Sequence, residues 1–449
     1  MSRFFSVACA LLLFLAVPLG LRSQGSKVFP YDFTVEVLSN GLKVVSVPLS
    51  NPNIIAFYTI VRSGSRNEVE PGKSGFAHFF EHMMFKGTKT VPRPAYDDFL
   101  TKLGAGTNGF TSDDHTVYFV VFAGRNNLEE VVKTEADRFI NLAYDEEMIK
   151  TEAPVIEGEY YSSVSNPDRR LAELLRDNAF EKHSYKHTTL GFLKDIQDMP
   201  NQYQYSLLYK QRFYAPDNSI LLVVGDFDQA RLMELVKKYY GSWQPSNYQL
   251  VTPVEPPQKK AKRAHLAWPS KTLARMSVAF HGPAFSDEKL DKAALDLLAE
   301  VAFSNSSPIY QRLVIEEQKC QNLYAGFPDR RDPSLLTISA VIKKDEDLPA
   351  VEKTIWQELE NLKTKPVSAE LLSDIKSNLK YSLANSLDTS DGVAGTLFFF
   401  ISLTADPGSV NKLYDLYDRV RPADVQDMAK KYFTRANSTV VTLTGGNAK

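Results

Sequence analysis

The chain has 449 residues, of which 43% are hydrophobic and 24% charged, with a formal net charge of −2. This length is sufficient for two or more hydrophobic cores, and the composition excludes a disordered protein, which has few hydrophobic residues and a large net charge. The charge also excludes the positive field that attracts nucleic acid, so we expect no nucleic-acid partner.

The N-terminal segment differs in composition from the rest of the chain. Met1–Arg3 forms a short basic start, Phe4 to Leu21 runs without a charge, and polar sequence resumes at Arg22. This layout is typical of a secretory signal peptide, which we assign to residues 1–24. A retained membrane anchor is the alternative, because the cleavage site lacks a clear small-x-small pattern. We therefore expect an exported protein, either periplasmic or secreted.

The first half of the chain carries the clearest secondary-structure patterns. Alternation of polar and apolar residues predicts strands, and 3.6-residue periodicity predicts helices. In chain order the predicted elements are a hairpin over Thr34–Pro48 that turns at Asn40-Gly41, a strand over Ile54–Arg62, helices over Gly75–Phe85 and Ala95–Leu103, a strand over Thr116–Phe122, helices over Asn127–Ala143 and Asp145–Val164, and a buried strand over Ser219–Gly225. Strands and helices mix without strict alternation, so we expect α+β sandwich domains.

A Pro-rich, basic segment predicts a linker over residues 244–262. It separates an N-terminal domain, residues 25–243, from a C-terminal domain, residues 263–449. The sequence from Lys210 to Val223 lines up with that from Lys430 to Thr442, since each has a helix end, an Asn-Ser turn and an apolar strand. We therefore expect two homologous domains that arose by duplication.

The segment from Gly75 to Thr88 carries a metal-binding pattern. His78 and His82 are four residues apart, so on a helix both imidazoles project from one face and can bind one Zn²⁺ ion. Glu81 precedes the second histidine and can act on a water as general base, which gives the inverted His-x-x-Glu-His form of the metallopeptidase motif. A chance pair of surface histidines is the alternative. The surrounding Phe and Met residues argue against it, because buried histidines without a metal need other partners.

A hydrolytic zinc site needs a third protein ligand and an open position. The helix that begins after Asp145 offers several glutamates, of which Glu152 and Glu159 are seven apart and share a face. One of them can ligate the metal while the other contacts a ligand. The spacing alone does not choose between them.

Four blocks of the sequence together resemble the pitrilysin family of inverted-motif zinc peptidases, which includes insulin-degrading enzyme and mitochondrial processing peptidase. The blocks are Gly64–Glu68, His78–Thr88, Gly106–Tyr118 and Tyr214–Asn218. The likeness runs from about Thr34 to the C-terminus and is strongest before Ala230. It implies a zinc endopeptidase of peptides or unfolded segments, built from duplicated α/β sandwich domains with one Zn²⁺ per chain.

The resemblance also implies roles for individual residues. It assigns Glu159 as the third ligand and Glu152 as a catalytic residue that orients the ligands. It further suggests that Asn108 and the strand after it bind the backbone of the substrate as an added β-strand. A turn asparagine in a Gly-rich loop is the alternative for Asn108.

The chain departs from the family pattern in its second half. Active members bring an Arg and a Tyr, seven residues apart, from the opposite half of a two-half chamber. The corresponding positions here are Val314 and Gln321, whereas Arg312 and Tyr324 lie nearby at the wrong spacing. We therefore expect a heterodimer with a paralogue that carries this pair, with a homodimer as the alternative. A non-catalytic structural or binding subunit is the rival function, which the intact metal motif argues against.

Overall fold

The computed structural model describes residues 27–50 and 53–446. The predicted signal peptide lies outside these residues. Eleven strands in the described part of the chain form two sheets. In chain order they are β1 (Thr34–Val37), β2 (Lys43–Pro48), β3 (Ile54–Val61), β4 (Gly106–Thr111), β5 (Thr116–Ala123), β6 (Ser219–Gly225), β7 (Lys262–Trp268), β8 (Ala274–His281), β9 (Cys320–Gly326), β10 (Leu335–Ile342) and β11 (Ser438–Gly445).

Helices lie between and around these strands. In chain order they are α1 (Phe76–Met83), α2 (Arg93–Leu103), α3 (Leu128–Asn141), α4 (Glu146–Val164), α5 (Pro167–Ala179), α6 (Leu193–Asp198), α7 (Tyr203–Phe213), α8 (Gln229–Tyr240), α9 (Leu290–Phe303), α10 (Pro308–Tyr310), α11 (Leu348–Thr364), α12 (Ala369–Ser386), α13 (Ser390–Thr404), α14 (Ser409–Arg419) and α15 (Pro422–Tyr432). A π-helical turn, Gln311–Glu316, continues α10.

The two sheets share one topology. The strand order is β1-β2-β6-β3-β5-β4 in the first sheet and β7-β11-β8-β10-β9 in the second. Five strands correspond between the two sheets. In each sheet the corresponding strand that comes first in the chain, β2 or β7, pairs in parallel with the one that comes last in the chain, β6 or β11. The pairings among the remaining strands are antiparallel. This correspondence agrees with the predicted duplication and with the predicted α+β class.

One helix of each half packs on the sheet of the other half. Helix α5 of the first half packs on β7, β8 and β11, where one buried cluster contains Leu171, Leu175, Val441 and Leu443. Helix α13 of the second half packs on β3 and β6. There the ring of Phe398 stacks on Tyr58, with 6.1 Å between the centroids. The hydrophobic cores of the two halves are therefore continuous.

The segment between α8 and β7 contains neither helix nor strand. It crosses from the first sheet to the second along the surface, and Glu255 anchors it by accepting hydrogen bonds from the backbone N–H groups of residues 181–183 at 2.7–2.9 Å. The domain limits inferred from the sequence stay a prediction.

We find no single helix in the described residues that is both long and apolar enough to cross a bilayer. Only α13 and α14 taken together have sufficient length and composition, and the pair is bent by 85°.

Candidate metal centre

Helix α1 is fixed at its N-terminus by a buried carboxylate. Glu68 accepts hydrogen bonds from the backbone N–H groups of Gly75 at 2.7 Å and Ala77 at 2.6 Å. These donors lie at the start of the helix, where no carbonyl in the preceding turn can accept from them. Gly75 has φ = 93°, and a Cβ at this position would lie 2.6 Å from the carbonyl oxygen of Leu190. Only glycine therefore allows the helix to begin here, and Glu68 sets its position.

Removing this carboxylate is expected to destabilise the fold. Glu68→Ala leaves two buried N–H groups without an acceptor, and each such group costs about 1–3 kcal/mol in the free energy of unfolding. The matched control is Glu70→Ala, because Glu70 is 41% exposed and pairs with Arg212 at the surface. The control should cost about 0–1 kcal/mol. Urea unfolding of both variants measures the difference, and equal losses would show that Glu68 does not support the helix.

Three predicted ligands come together between α1 and α4. His78 Nε2 lies 3.4 Å from Glu159 Oε2, and His82 Nε2 lies 3.6 Å from Glu159 Oε1. One ligand atom from each of the three residues falls within 4.8 Å of the other two. Within residues 27–50 and 53–446, no second group of three or more such side chains is close enough to hold a metal ion.

The geometry of this cluster fits zinc. Ligand atoms that bind one zinc ion tetrahedrally at about 2.1 Å are about 3.4 Å apart. The two His–Glu separations, 3.4 and 3.6 Å, are close to this value. Burial and, to a smaller extent, the neighbouring His82 lower the pKa of His78 to about 4, so His78 is neutral at pH 7 as a metal ligand must be. Two imidazoles and one carboxylate are also a donor set typical of hydrolytic zinc sites.

Glu81 lies beside the cluster with its carboxylate oriented by β4. Its Oε2 accepts a hydrogen bond of 2.6 Å from Thr111 Oγ1. Burial raises the pKa of Glu81, and this effect exceeds the opposing ones of the Thr111 hydrogen bond and the charge of His82. A carboxylate with a raised pKa takes up and returns a proton more readily near neutral pH than an exposed glutamate does.

Glu152 contacts a predicted ligand and lies apart from the cluster. Its Oε1 is 2.9 Å from His82 Nδ1, and its Oε2 accepts a hydrogen bond from Lys86. Burial alone would raise the pKa of this carboxyl, but the hydrogen bonds from Lys86 and His82 outweigh it and the pKa is lowered. The negative charge of Glu152 therefore holds His82 with its Nε2 directed toward the cluster.

Asn108 lies within β4, which forms an edge of the first sheet. The expectation that Asn108 and the strand after it bind substrate as an added strand stays a prediction, and the structure limits where a strand can be added. That strand, β5, pairs with β3 on one side and β4 on the other, so its backbone groups are already bonded. The edge with unpaired backbone groups is β4 itself, and Asn108 is exposed on it.

The positions that depart from the family pattern lie in the second half. Val314 packs against the core from the π-helical turn, and Gln321 is exposed on β9. Arg312 bonds to Glu317 at 2.5 Å, and Tyr324 is 48% exposed on β9. No hydrogen bond or ion pair among the described residues joins any of these four to the metal cluster.

Two other residues contact the site but were not predicted from the sequence. Lys86 follows His82 by four residues, so helical spacing could have identified it, although α1 ends at Met83. Thr111 could not have been found, because its contact with Glu81 depends on the packing of β4 beside α1. His183 and His187 are also four residues apart in the sequence, but both have structural partners: His183 bonds to Asp332 at 3.0 Å and His187 to the carbonyl oxygen of Thr188 at 2.9 Å.

Two family models match successive parts of the chain. The model described as Insulinase (Peptidase family M16) matches residues 44–192, which contain the metal cluster. The model described as Peptidase M16 inactive domain matches residues 203–379. Among curated relatives, the zinc protease PqqE of Helicobacter pylori is 29% identical over 437 residues and 96% of each chain. A probable mitochondrial-processing peptidase subunit beta of Arabidopsis thaliana is 24% identical over 410 residues, 89% of this chain and 76% of the relative.

Solved structures share the fold over nearly the whole chain. The crystal structure of a protease from Helicobacter pylori matches with a TM-score of 0.86 at 29% identity, and the match covers 92% of this chain and 99% of the other. The periplasmic protease PqqL from Escherichia coli matches with a TM-score of 0.73 at 20% identity, over 92% of this chain and 48% of PqqL. The chain therefore belongs to the M16 peptidase family, the pitrilysin family expected from the sequence, and spans the two domains of one half of that fold.

Proposed function

We propose that this protein is a zinc-dependent endopeptidase subunit that hydrolyses peptides or unfolded segments. The observation that carries the proposal is the cluster of His78, His82 and Glu159, whose ligand atoms lie within 4.8 Å of one another beside Glu81. These residues would hold one zinc ion per chain, which would supply a Lewis acid for a peptide carbonyl and for a water molecule. The names of the relatives, which include zinc proteases, support the same reaction class.

The chain's own residues complete the reaction. Glu81 takes a proton from the attacking water and later gives it to the leaving amine, as its raised pKa allows. Thr111 holds the Glu81 carboxylate through its hydrogen bond. Glu159 is 44% exposed while His78 and His82 are mostly buried, so the cluster opens toward solvent on the glutamate side, where a substrate can approach.

The edge of β4 provides the binding surface for the peptide backbone. A peptide in extended form can pair with the unpaired edge as an added strand, which places its carbonyl groups in a regular row. Asn108 lies three residues before Thr111 on this strand, so the added strand passes close to Glu81. Asn108 thereby contacts the substrate.

Glu152 has the role of orienting His82. We expect Glu152→Gln to weaken zinc affinity by roughly 10–100-fold, because partners of metal ligands usually contribute that much. The control is Glu146→Gln on the same helix, since Glu146 is 57% exposed and pairs only with Lys150 at the surface. Competition with a chromophoric chelator measures both affinities. An unchanged affinity in Glu152→Gln would remove this role.

The rival function, a non-catalytic subunit, has less support. The description of an inactive domain applies to residues 203–379 and therefore to the second half. The metal cluster lies in the part of the chain matched by the other M16 model. In the second half, His265 bonds to Thr442 and His281 lies beside the carbonyl of Ala179, so neither is arranged as a ligand.

Activity requires a partner half. Val314 and Gln321 occupy the positions of the Arg/Tyr pair, and the chain matches only 48% of the longer PqqL chain. The partner is a paralogue that carries the pair, and a homodimer is the alternative.

The two domains of this chain, residues 25–243 and 263–449, are joined by the linker at residues 244–262. Residues 1–24 direct export to the periplasm or the medium.

Peptide hydrolysis assays of the chain alone and of the chain mixed with a paralogous subunit test this proposal. We expect the mixture to cleave a quenched fluorescent peptide in a chelator-sensitive manner, with the chain alone at least about tenfold slower. The control is the paralogue alone, which should be inactive. Full activity of the isolated chain would overturn the partner requirement, and zinc-independent cleavage would overturn the reaction class.

A further inference from the structure

The turn between β4 and β5, residues 112–115, connects the strand that holds Glu81 to a buried carboxylate. Thr111, which donates a hydrogen bond to Glu81, is the last residue of β4. Asp113 follows two residues later and is only 4% exposed. Strand β4 lies at the edge of its sheet and is rich in glycine and polar residues, which have low strand propensity. The position of Thr111 therefore depends on what anchors this turn.

The first half anchors the turn through both the backbone and the side chain of Asp113. The backbone N–H of Arg66 donates to the carbonyl oxygen of Asp113 at 2.8 Å, and Ser65 Oγ donates to Asp113 Oδ1 at 3.1 Å. Arg176 of α5 donates to both carboxylate oxygens, at 2.8 and 3.0 Å. Asp113 is therefore bound to two segments of the first half, the loop before α1 and helix α5.

The second half contacts the same carboxylate from the loop between β9 and β10. Arg330 Nε in this loop donates to Asp113 Oδ2 at 2.8 Å. The preceding residue, Asp329, forms an ion pair of 2.6 Å with Lys292 of α9, whose side chain is only 2% exposed. Because Lys292 ties the loop to the core of the second half, Arg330 holds the β4–β5 turn in a fixed position relative to that core.

Two arginines share this one carboxylate, so the charge of Asp113 allows them to lie together. Burial alone would raise the pKa of Asp113, but the charges of Arg176 and Arg330 outweigh it and hold this pKa well below its usual range. Without the carboxylate, two like charges would face each other and repel. The turn would then lose its bonds to α5 and to the second half at the same time.

From these contacts we infer that Asp113 is a positioning residue for the general base. It fixes the β4–β5 turn so that Thr111 keeps its hydrogen bond to Glu81, and Arg330 contributes the anchor from the second half. The inference rests on the proposed peptidase function. Among the described residues, no hydrogen bond or ion pair joins Asp113 or Arg330 to the metal cluster, so both act through Thr111. The second half, which supplies no residue to that cluster, thereby takes part in the reaction.

The test combines Asp113→Asn with Thr111→Val in the full chain, assembled with its partner. We expect Asp113→Asn to lower kcat by about tenfold, and by no more than Thr111→Val does, because a small displacement of a reacting group is costly. In the Thr111→Val background the same substitution should lower kcat by less than about threefold, since the hydrogen bond through which it acts is already absent. Zinc content should stay unchanged. The control is Asp97→Asn, because Asp97 is 61% exposed and pairs with Arg93 at the surface.

Arg330→Met is a milder variant, because it leaves Asp113 paired with Arg176. We expect a smaller loss of kcat than in Asp113→Asn. Arg330→Lys should recover part of that loss, since an ammonium group can still donate to one carboxylate oxygen. Lysine and methionine have similar length, so the recovery would report the charge and not the packing.

Hydrogen exchange of the isolated chain tests the same anchor without any activity. The amides of residues 106–115 should exchange about tenfold faster or more in Asp113→Asn than in the parent chain, and at the parental rate in Asp97→Asn. Equal losses of kcat for Asp113→Asn in both backgrounds, or parental exchange in this segment, would overturn the inference. If the assembled parent hydrolysed no peptide while the exchange responded to Asp113→Asn, the proposed function would fail and the anchor would stand.

Discussion

Replacing Glu81 with glutamine is expected to abolish peptide hydrolysis while leaving the zinc content unchanged. Glutamine keeps the size of the side chain and can still accept the hydrogen bond from Thr111, but it cannot take a proton from water. Loss of a general base typically lowers kcat by roughly 100- to 10,000-fold. Metal analysis of the purified variant and kcat of the assembled enzyme are the two measurements.

Two controls make this result specific. Glu146→Gln removes a carboxylate from the exposed face of α4 and should leave both kcat and zinc content unchanged. Thr111→Val removes the hydrogen bond to Glu81 while keeping the base, so we expect a smaller loss of kcat than in Glu81→Gln. Hydrolysis at the parental rate in Glu81→Gln would remove Glu81 as the base, whereas loss of zinc would show that the residue supports the metal site instead.

The strands and helices around the site could largely be predicted from local sequence. Asn40-Gly41 predicts the β1–β2 hairpin because a tight turn requires positive φ, and Gly41 has φ = 90°. Periodicity places α1 correctly, since one face carries Phe76, Phe79 and Phe80, all fully buried. Charge and apolar spacing identify α4 as one helix. It continues through Pro154, although proline removes one intrahelical hydrogen bond.

Strand β4 could not be recognised locally. Its sequence from Gly106 to Gly109 is rich in glycine and polar residues, which have low strand propensity, and it extends only because β5 supplies a pairing partner. The sequence also could not predict that α5 packs on the second sheet and α13 on the first. An amphipathic helix shows that one face is buried, but its sequence does not specify which sheet covers that face.

At the site, likewise, some features could be predicted from local sequence and others depend on how the helices pack. The spacing of His78, Glu81 and His82 on one helix turn follows from sequence, and so does the shared face of Glu152 and Glu159. Which of the two glutamates faces the histidines depends on how α4 crosses α1. The structure places Glu159 within 3.6 Å of the Nε2 atoms of both histidines, and places Glu152 beside Nδ1 of His82 alone.

Because Glu159 lies at the ligand atoms of both histidines and Glu152 does not, substitution of Glu159 should have the larger effect on zinc affinity. Glu159→Gln removes a charged ligand, so zinc affinity should fall by well over about 100-fold, beyond the range expected for a residue that only orients a ligand. His82→Ala should have a similar effect, because it removes a ligand and also leaves the buried carboxylate of Glu152 with Lys86 as its remaining partner.

The comparison of Glu159→Gln with Glu152→Gln is decisive because both substitutions lie on one face of α4 and remove the same charge. Competition with a chromophoric chelator gives the two zinc affinities, and circular dichroism shows whether each variant keeps its helices. If Glu152→Gln lost more zinc affinity than Glu159→Gln, the two roles would have to be exchanged. If both lost equally little, the metal would have to be held without either glutamate, and the hydrolytic site would lack its third ligand.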